Sequence, residues 1–483
     1  MERKIWIGIG VLAAVLLILS LFIFLYRPAP TREQLLKKFE EFEGKSQEMK
    51  EMGYDVTKAE EFAKEAKNFF EDGDYKKANE LLKEAFKALE KAKIYIPEEV
   101  KEEARVKLSQ VKVAALYERV TDGIYYLNRS IDDVIAILKE IKTDFIFRGW
   151  WRWYPIPESP YEKSDFFTQD EIEEATKKGY TYWHLQQAMN KIKETNMIFC
   201  GAIPAQRLNV KERNPLTGEK FTYEEVEEMA LDPSKWGLDM SKEELQSKLQ
   251  KLLGFRKNEY FPDITNPKYQ ELLLSWAEKQ IDCGVDAIWI DMLFSQARIL
   301  ERLTGDPSHY AVRESYEAAS RIIDKIHMYG YKNHRKYIYV GTWWTFVKLP
   351  YAPPSVDFVT VSPTSDEIAS MKIDEERWRR IANDIRSKMG AEIPIFVFID
   401  WGTSSSPMAV FSQKLSSENQ SELLRTMNSF FSKEDMLFVY PIHGGFLGQD
   451  AKILAFKKYR IYDALAPEFQ TYDTIKELAF SNA

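Results

Sequence analysis

Cysteine and histidine are scarce in this 483-residue sequence. Its two cysteines, Cys200 and Cys283, exclude a disulfide scaffold and any multi-cysteine zinc or iron–sulfur site. Its five histidines show no His-Glu-x-x-His or comparable ligand spacing, so neither a metal nor another cofactor is expected. Cations are outnumbered as well: 67 Lys plus Arg face 75 Asp plus Glu, a net charge of −8. Binding nucleic acid over the whole surface needs clustered cations, so that class is excluded. A Gly-x-Ser-x-Gly elbow, a phosphate loop and a dinucleotide glycine fingerprint are also missing. What is present is an apolar share of 45%, too high for a largely disordered chain, and an unusual 12 Trp and 25 Tyr.

The first long feature is an apolar run. Residues 5–26 contain no charge and follow a four-residue tail ending in Arg3-Lys4. At about 1.5 Å per residue the run spans roughly 33 Å, the hydrocarbon thickness of a bilayer. No small-x-small cleavage pattern follows, so a retained transmembrane signal anchor is expected, with residues 1–4 as a cytoplasmic tail. Arg27, Arg32, Lys37 and Lys38 follow the span, but long domains translocate largely regardless of such charges. The domain beyond is therefore expected outside the cytoplasm. Residues 31–97 then shift to Lys, Glu, Ala and Leu with apolar positions at helical spacing. Phe70 to Ala85 resembles a tetratricopeptide-like helical hairpin, and the segment reads as a stalk that could also receive a protein partner. A connecting helix is expected over 98–121. Abundant Lys and Glu also suit a heat-adapted protein.

From residue 122 to 483, β-type runs alternate with amphipathic helices. Strands are expected at 123–128, 144–150, 197–203, 285–292, 336–343, 357–362, 393–400 and 436–442. Eight such units in about 360 residues is the arithmetic of a (β/α)8 TIM barrel with insertions, the α/β class. In Val285–Asp291, Ile288 and Ile290 share one face while Ala287, Trp289 and Asp291 share the other. In Ile393–Asp400, Ile395, Val397 and Ile399 alternate with Phe396, Phe398 and Asp400. Branched residues against the helices and aromatics inside would place Asp291 and Asp400 on the inward face at C-terminal strand ends, where barrel enzymes build their sites.

Two carboxylates at one barrel rim are what glycoside hydrolysis requires: one protonates the leaving oxygen while the other attacks or activates water. Asp366, after the sixth strand, competes with Asp400 as partner, although first-turn placement in a helix capped by Ser365 explains it better. Asp263 either positions a ligand or organises its loop. Arg148, Trp150, Trp151, Trp343, Trp344 and Trp401 cluster at predicted strand ends, where rings would stack on flat sugar faces. His443, after the last strand, reads as a wall of the site.

The stretch Phe261-Pro-Asp-Ile-Thr-Asn-Pro267, a helix containing Trp276, and Gly284-Val-Asp-Ala-Ile-Trp-Ile-Asp-Met292 resemble a segment of barrel glycosidases of the α-galactosidase-like and endo-α-polygalactosaminidase-like group. Ala287 stands where glycine is common there. The resemblance covers about 30 residues and implies an active-site role for Asp291. In the α-galactosidase-like enzymes the fourth-strand Asp is the nucleophile and the acid/base follows strand six, which would favour Asp366. The expected function is a membrane-anchored extracytoplasmic glycoside hydrolase acting on an oligo- or polysaccharide. The alternative is a non-catalytic glycan-binding or partner-recruiting surface protein.

Overall fold

The computed structural model describes residues 30–51, 54–92, 96–121, 127–163, 166–256 and 258–482. The expected membrane span, residues 5–26, lies outside them. Among the described residues no helix is long and apolar enough to cross a membrane. The chain forms two compact units, one ending at Pro97 and the other beginning at Glu98.

The first unit contains α1 (Arg32–Glu51), α2 (Thr57–Glu71) and α3 (Tyr75–Glu90). Ala59, Ala66, Ala78 and Ala85 are buried between the helices, small side chains that let backbones approach closely, and Leu35, Phe39, Phe42, Leu82 and Leu89 fill the remainder. Asp74 stops the α2–α3 turn by accepting a hydrogen bond from Lys77 N at 3.0 Å, an N-cap on α3.

The second unit is a closed parallel barrel. Its strands are β1 (Ala114–Tyr117), β2 (Phe145–Trp151), β3 (Ile198–Pro204), β4 (Ala287–Asp291), β5 (Tyr339–Trp343), β6 (Phe358–Val361), β7 (Ile395–Val397) and β8 (Leu437–Phe446). Each pairs with the next, and β8 pairs with β1 to close the circle. A ninth strand, β9 (Ile461–Asp463), adds antiparallel to β8. The expected alternation holds. Phe145, Phe147, Cys200, Ala287, Trp289, Phe358, Phe396 and Phe398 fill the interior, while Ile288, Ile290, Val340, Ile395 and Val397 face the helices. Strand entry is fixed by acids: Asp144 accepts from Lys112 N and Val113 N, Asp286 from Phe199 N, and Asp357 from Val340 N.

The first strand corrects the expectation. It occupies Ala114–Tyr117, inside the segment read as one connecting helix, and α4 (Glu98–Ser109) ends before it. Most of 123–128, where a strand was expected, lies outside the described residues. α4 closes the barrel floor: Ala104 and Leu108 are buried with the interior side chains, and Tyr339 donates to the Ala104 carbonyl at 3.0 Å.

Candidate active site

The C-terminal rim is shaped by an irregularity in β2. Between the pairs Ile146↔Phe199 and Trp150↔Gly201 the chain advances four residues on β2 and two on β3. Two residues are therefore extra. Arg148, at φ 54°, takes up the bulge, and Gly149 follows because a Cβ there would collide with Phe199. The bulge lifts Arg148 into the cleft and leaves Trp150 outward and Trp151 inward.

The Arg148 guanidinium is buried between rings, 3.9 Å from the Trp401 ring centre, 4.3 Å from Trp151 and 5.0 Å from Trp289. Burial works against its charge; Glu118, Asp291 and Asp400 oppose that effect electrostatically, and none of them hydrogen-bonds it. Its Nε is buried without a partner. Such a group is costly unless a ligand completes it.

Asp291, at the end of β4, accepts from the Trp343 indole N–H and from the Gln206 amide, each at 2.6 Å. Burial raises its pKa, while Arg148 and these two donors favour the ionised form. Asp400 follows β7. Burial and then the charge of Asp291 push its pKa up to about 7, against Arg148 and the Trp401 N–H. Asp400 thus keeps its proton near neutrality, and Asp291, held by two side-chain donors, is the anion of the pair.

Glu118 is a third carboxylate that strand assignment from sequence missed. It sits just after β1, buried, with one oxygen accepting from Gly445 N at 3.0 Å. Gly444 (φ 109°) makes room, since a Cβ there would strike Glu118. Glu118 N in turn donates to the His443 carbonyl at 2.9 Å. Gln206 was missed too, because no spacing in the chain ties it to Asp291 85 residues away. A third missed residue is Trp153, stacked on Trp151 at 5.0 Å.

Several expected site residues lie elsewhere. Trp150 packs in the outer core against Tyr180. His443 is fully buried rather than a wall: its Nδ1 lies 2.8 Å from Asp463, which also holds Arg129 in a two-point pair. Burial would raise the Asp463 pKa, but His443 and Arg129 overcome it and hold the carboxyl below its usual range. Asp263 is buried and saturated by Lys235, Thr265 and Gln296, so it organises its loop. Asp366 is exposed in the first turn of the helix Ser365–Ser370, whose capping box is Thr364 with Glu367. It forms no hydrogen bond or ion pair with Arg148, Asp291 or Asp400. Trp344 turns away from the carboxylates onto a neighbouring groove.

A cavity of about 520 Å³ elsewhere is lined by Arg152, Glu212 and Trp276. Neither aspartate borders it, and Arg152 is matched by Glu212 at 2.7 and 2.9 Å. Among the described residues no group of three or more His, Cys, Asp or Glu could hold a metal ion.

Neither a scan against protein-family models nor a search of curated proteins found a match. Among solved structures the chain is similar to glycoside hydrolases built on TIM barrels. The glycoside hydrolase domain of PelA from Pseudomonas aeruginosa aligns at 11% identity over 68% of this chain and 94% of that one, with a TM-score of 0.37. An α-amylase from Lactobacillus plantarum aligns at 12% over 77% and 80%, TM-score 0.42. A cyclic α-maltosyl-(1→6)-maltose hydrolase from Arthrobacter globiformis aligns at 10% over 76% and 82%, TM-score 0.41.

Proposed function

We propose that the barrel hydrolyses a glycosidic bond, with Asp400 as general acid and Asp291 as nucleophile or base. The observation that supports this is one cleft holding two carboxylates whose surroundings differ: Asp291 accepts two side-chain hydrogen bonds, while Asp400, buried beside that charge, holds a proton to about pH 7. A pair split in this way is what acid-assisted cleavage needs. Asp400 would give its proton to the leaving oxygen; Asp291 would attack the anomeric carbon or take a proton from water. Arg148 supplies donors for sugar hydroxyls, and the rings of Trp151, Trp343 and Trp401 supply stacking faces. The apolar run 5–26 would tether the enzyme with the barrel outside the cytoplasm, and the helical unit would act as its stalk.

The test is a screen of oligo- and polysaccharides for released reducing ends with wild type and Asp291→Asn. Turnover by wild type that Asp291→Asn loses by about 10³-fold or more supports the assignment. Binding without release by either protein favours a glycan-binding surface protein instead.

A further inference from the structure

Next to the cleft runs a groove of about 260 Å³ that the proposed reaction does not use, lined by Leu249, Leu252, Met292, Arg302, Trp344 and Lys348 among others. Two of its lining residues directly follow residues of the cleft in the chain. Met292 follows Asp291, and Trp344 follows Trp343, whose indole holds Asp291. Consecutive Cα atoms lie about 3.8 Å apart, so the edge of the groove begins one residue from the proposed nucleophile.

The two sites have opposite charge. Glu118, Asp291 and the proton-holding Asp400 face one guanidinium in the cleft, whereas Arg298, Arg302 and Lys348 border the groove. Arg298 pairs with Glu301. Among the described residues no carboxylate pairs with Arg302 or Lys348; both are exposed, and the Lys348 ammonium lies 5.1 Å from the Trp344 ring centre. Leu252 is also exposed, 70% of its surface open.

We propose that this groove binds an acidic sugar residue of the same glycan that enters the cleft. An aromatic face beside apolar walls suits the CH-rich side of a sugar ring, and Arg302 with Lys348 matches a carboxylate or sulfate on its edge. The surplus negative charge around Asp291 repels such a group, so the acidic residue and the cleaved residue are different units of the polymer. The inference rests on the glycan-processing reading of the barrel.

The experiment uses the full chain carrying Asp291→Asn to prevent turnover, and calorimetric binding of an oligogalacturonate, dextran sulfate and an uncharged dextran oligomer. At least one acidic probe binds more tightly than the neutral one and weakens several-fold as salt rises from about 50 to about 200 mM. Arg302→Glu with Lys348→Glu lowers acidic-probe affinity about tenfold, and circular dichroism confirms that the variant folds. Trp344→Ala weakens the acidic probe as well. The inference is overturned if neither acidic probe binds, if charged and neutral probes bind alike, or if the double variant binds like its parent. It is also overturned if the double variant loses only binding to phosphatidylglycerol vesicles. Charge-dependent binding by the Asp291→Asn chain, with the wild type releasing no reducing ends from any glycan screened, overturns hydrolysis and leaves the groove assignment standing.

Discussion

At the scale of single residues, Asp400 sets stability against activity. Its folded pKa of about 7 lies above the unfolded value of about 3.9. The folded state therefore binds the proton more tightly, and no penalty exists below about pH 4. The penalty grows as pH rises between the two values and is complete above about 7, where it reaches up to about 4 kcal/mol. Asp400→Asn removes the charge, so it should raise unfolding free energy by about 1–3 kcal/mol at pH 8 and change little at pH 4, while abolishing turnover. Chemical denaturation at both pH values checks this; equal effects at the two would refute the buried-acid assignment. In wild type, kcat/KM should fall as pH rises through about 7, when the acid loses its proton. It should fall on the acid side as Asp291 protonates, above the ordinary carboxylate range.

Arg148 gives the complementary case. Glu118, Asp291 and Asp400 all face its charge, and removing it leaves three carboxylates around a buried space. Arg148→Met should lower stability by about 3–5 kcal/mol at pH 8. Much of that loss should return at pH 5, where the raised carboxyls take up protons. A melting-temperature deficit that stays constant from pH 5 to 8 would contradict the electrostatic role.

At the scale of elements, α4 serves as the floor of the barrel. Leu108 is buried among interior side chains, whereas Val106, two residues earlier, is exposed. Leu108→Ala should cost about 2–5 kcal/mol, and Val106→Ala should stay within about 0.5 kcal/mol. Urea titration of the two variants separates a packed floor from a loosely attached helix. Most strands and the inward placement of Asp291 and Asp400 at strand ends were legible in the sequence, because a period of two with branched residues on one face and aromatics on the other leaves little freedom. β1 was not legible. It has four residues and follows a helical pattern without a Gly or Pro break, so the helix read through it, and Glu118 was lost with it. Arg148 and Trp150 share a parity, and only the two-residue bulge sends one inward and the other outward. His443 was misread, and Asp263 left open between two roles, for a different reason: a polar residue near a strand end or in a loop looks the same in sequence whether its partners are ligand or protein.

At the scale of the whole molecule, the two units differ in kind. The helical unit is held by its own small core of alanines, leucines and phenylalanines, and the barrel by its interior and its outer layer. The boundary at Pro97 falls before α4, so a cut there removes no floor residue from the barrel. Residues 98–483 alone should therefore keep a cooperative transition of their own, because every strand of the closed barrel and its floor helix lie after the cut. Residues 30–483 should show that same transition within about 2 °C, preceded or followed by a smaller one from the helical unit, whose shorter chain carries less unfolding enthalpy. Differential scanning calorimetry of the two proteins decides it. The tether proposal adds a functional consequence. Freed of residues 1–97, the barrel should retain its rate on a soluble oligosaccharide and lose rate on the same glycan fixed to the cell surface, because only the anchored form is held at high local concentration there. Equal losses on both substrates would mean that the helical unit supports the fold of the barrel rather than its placement.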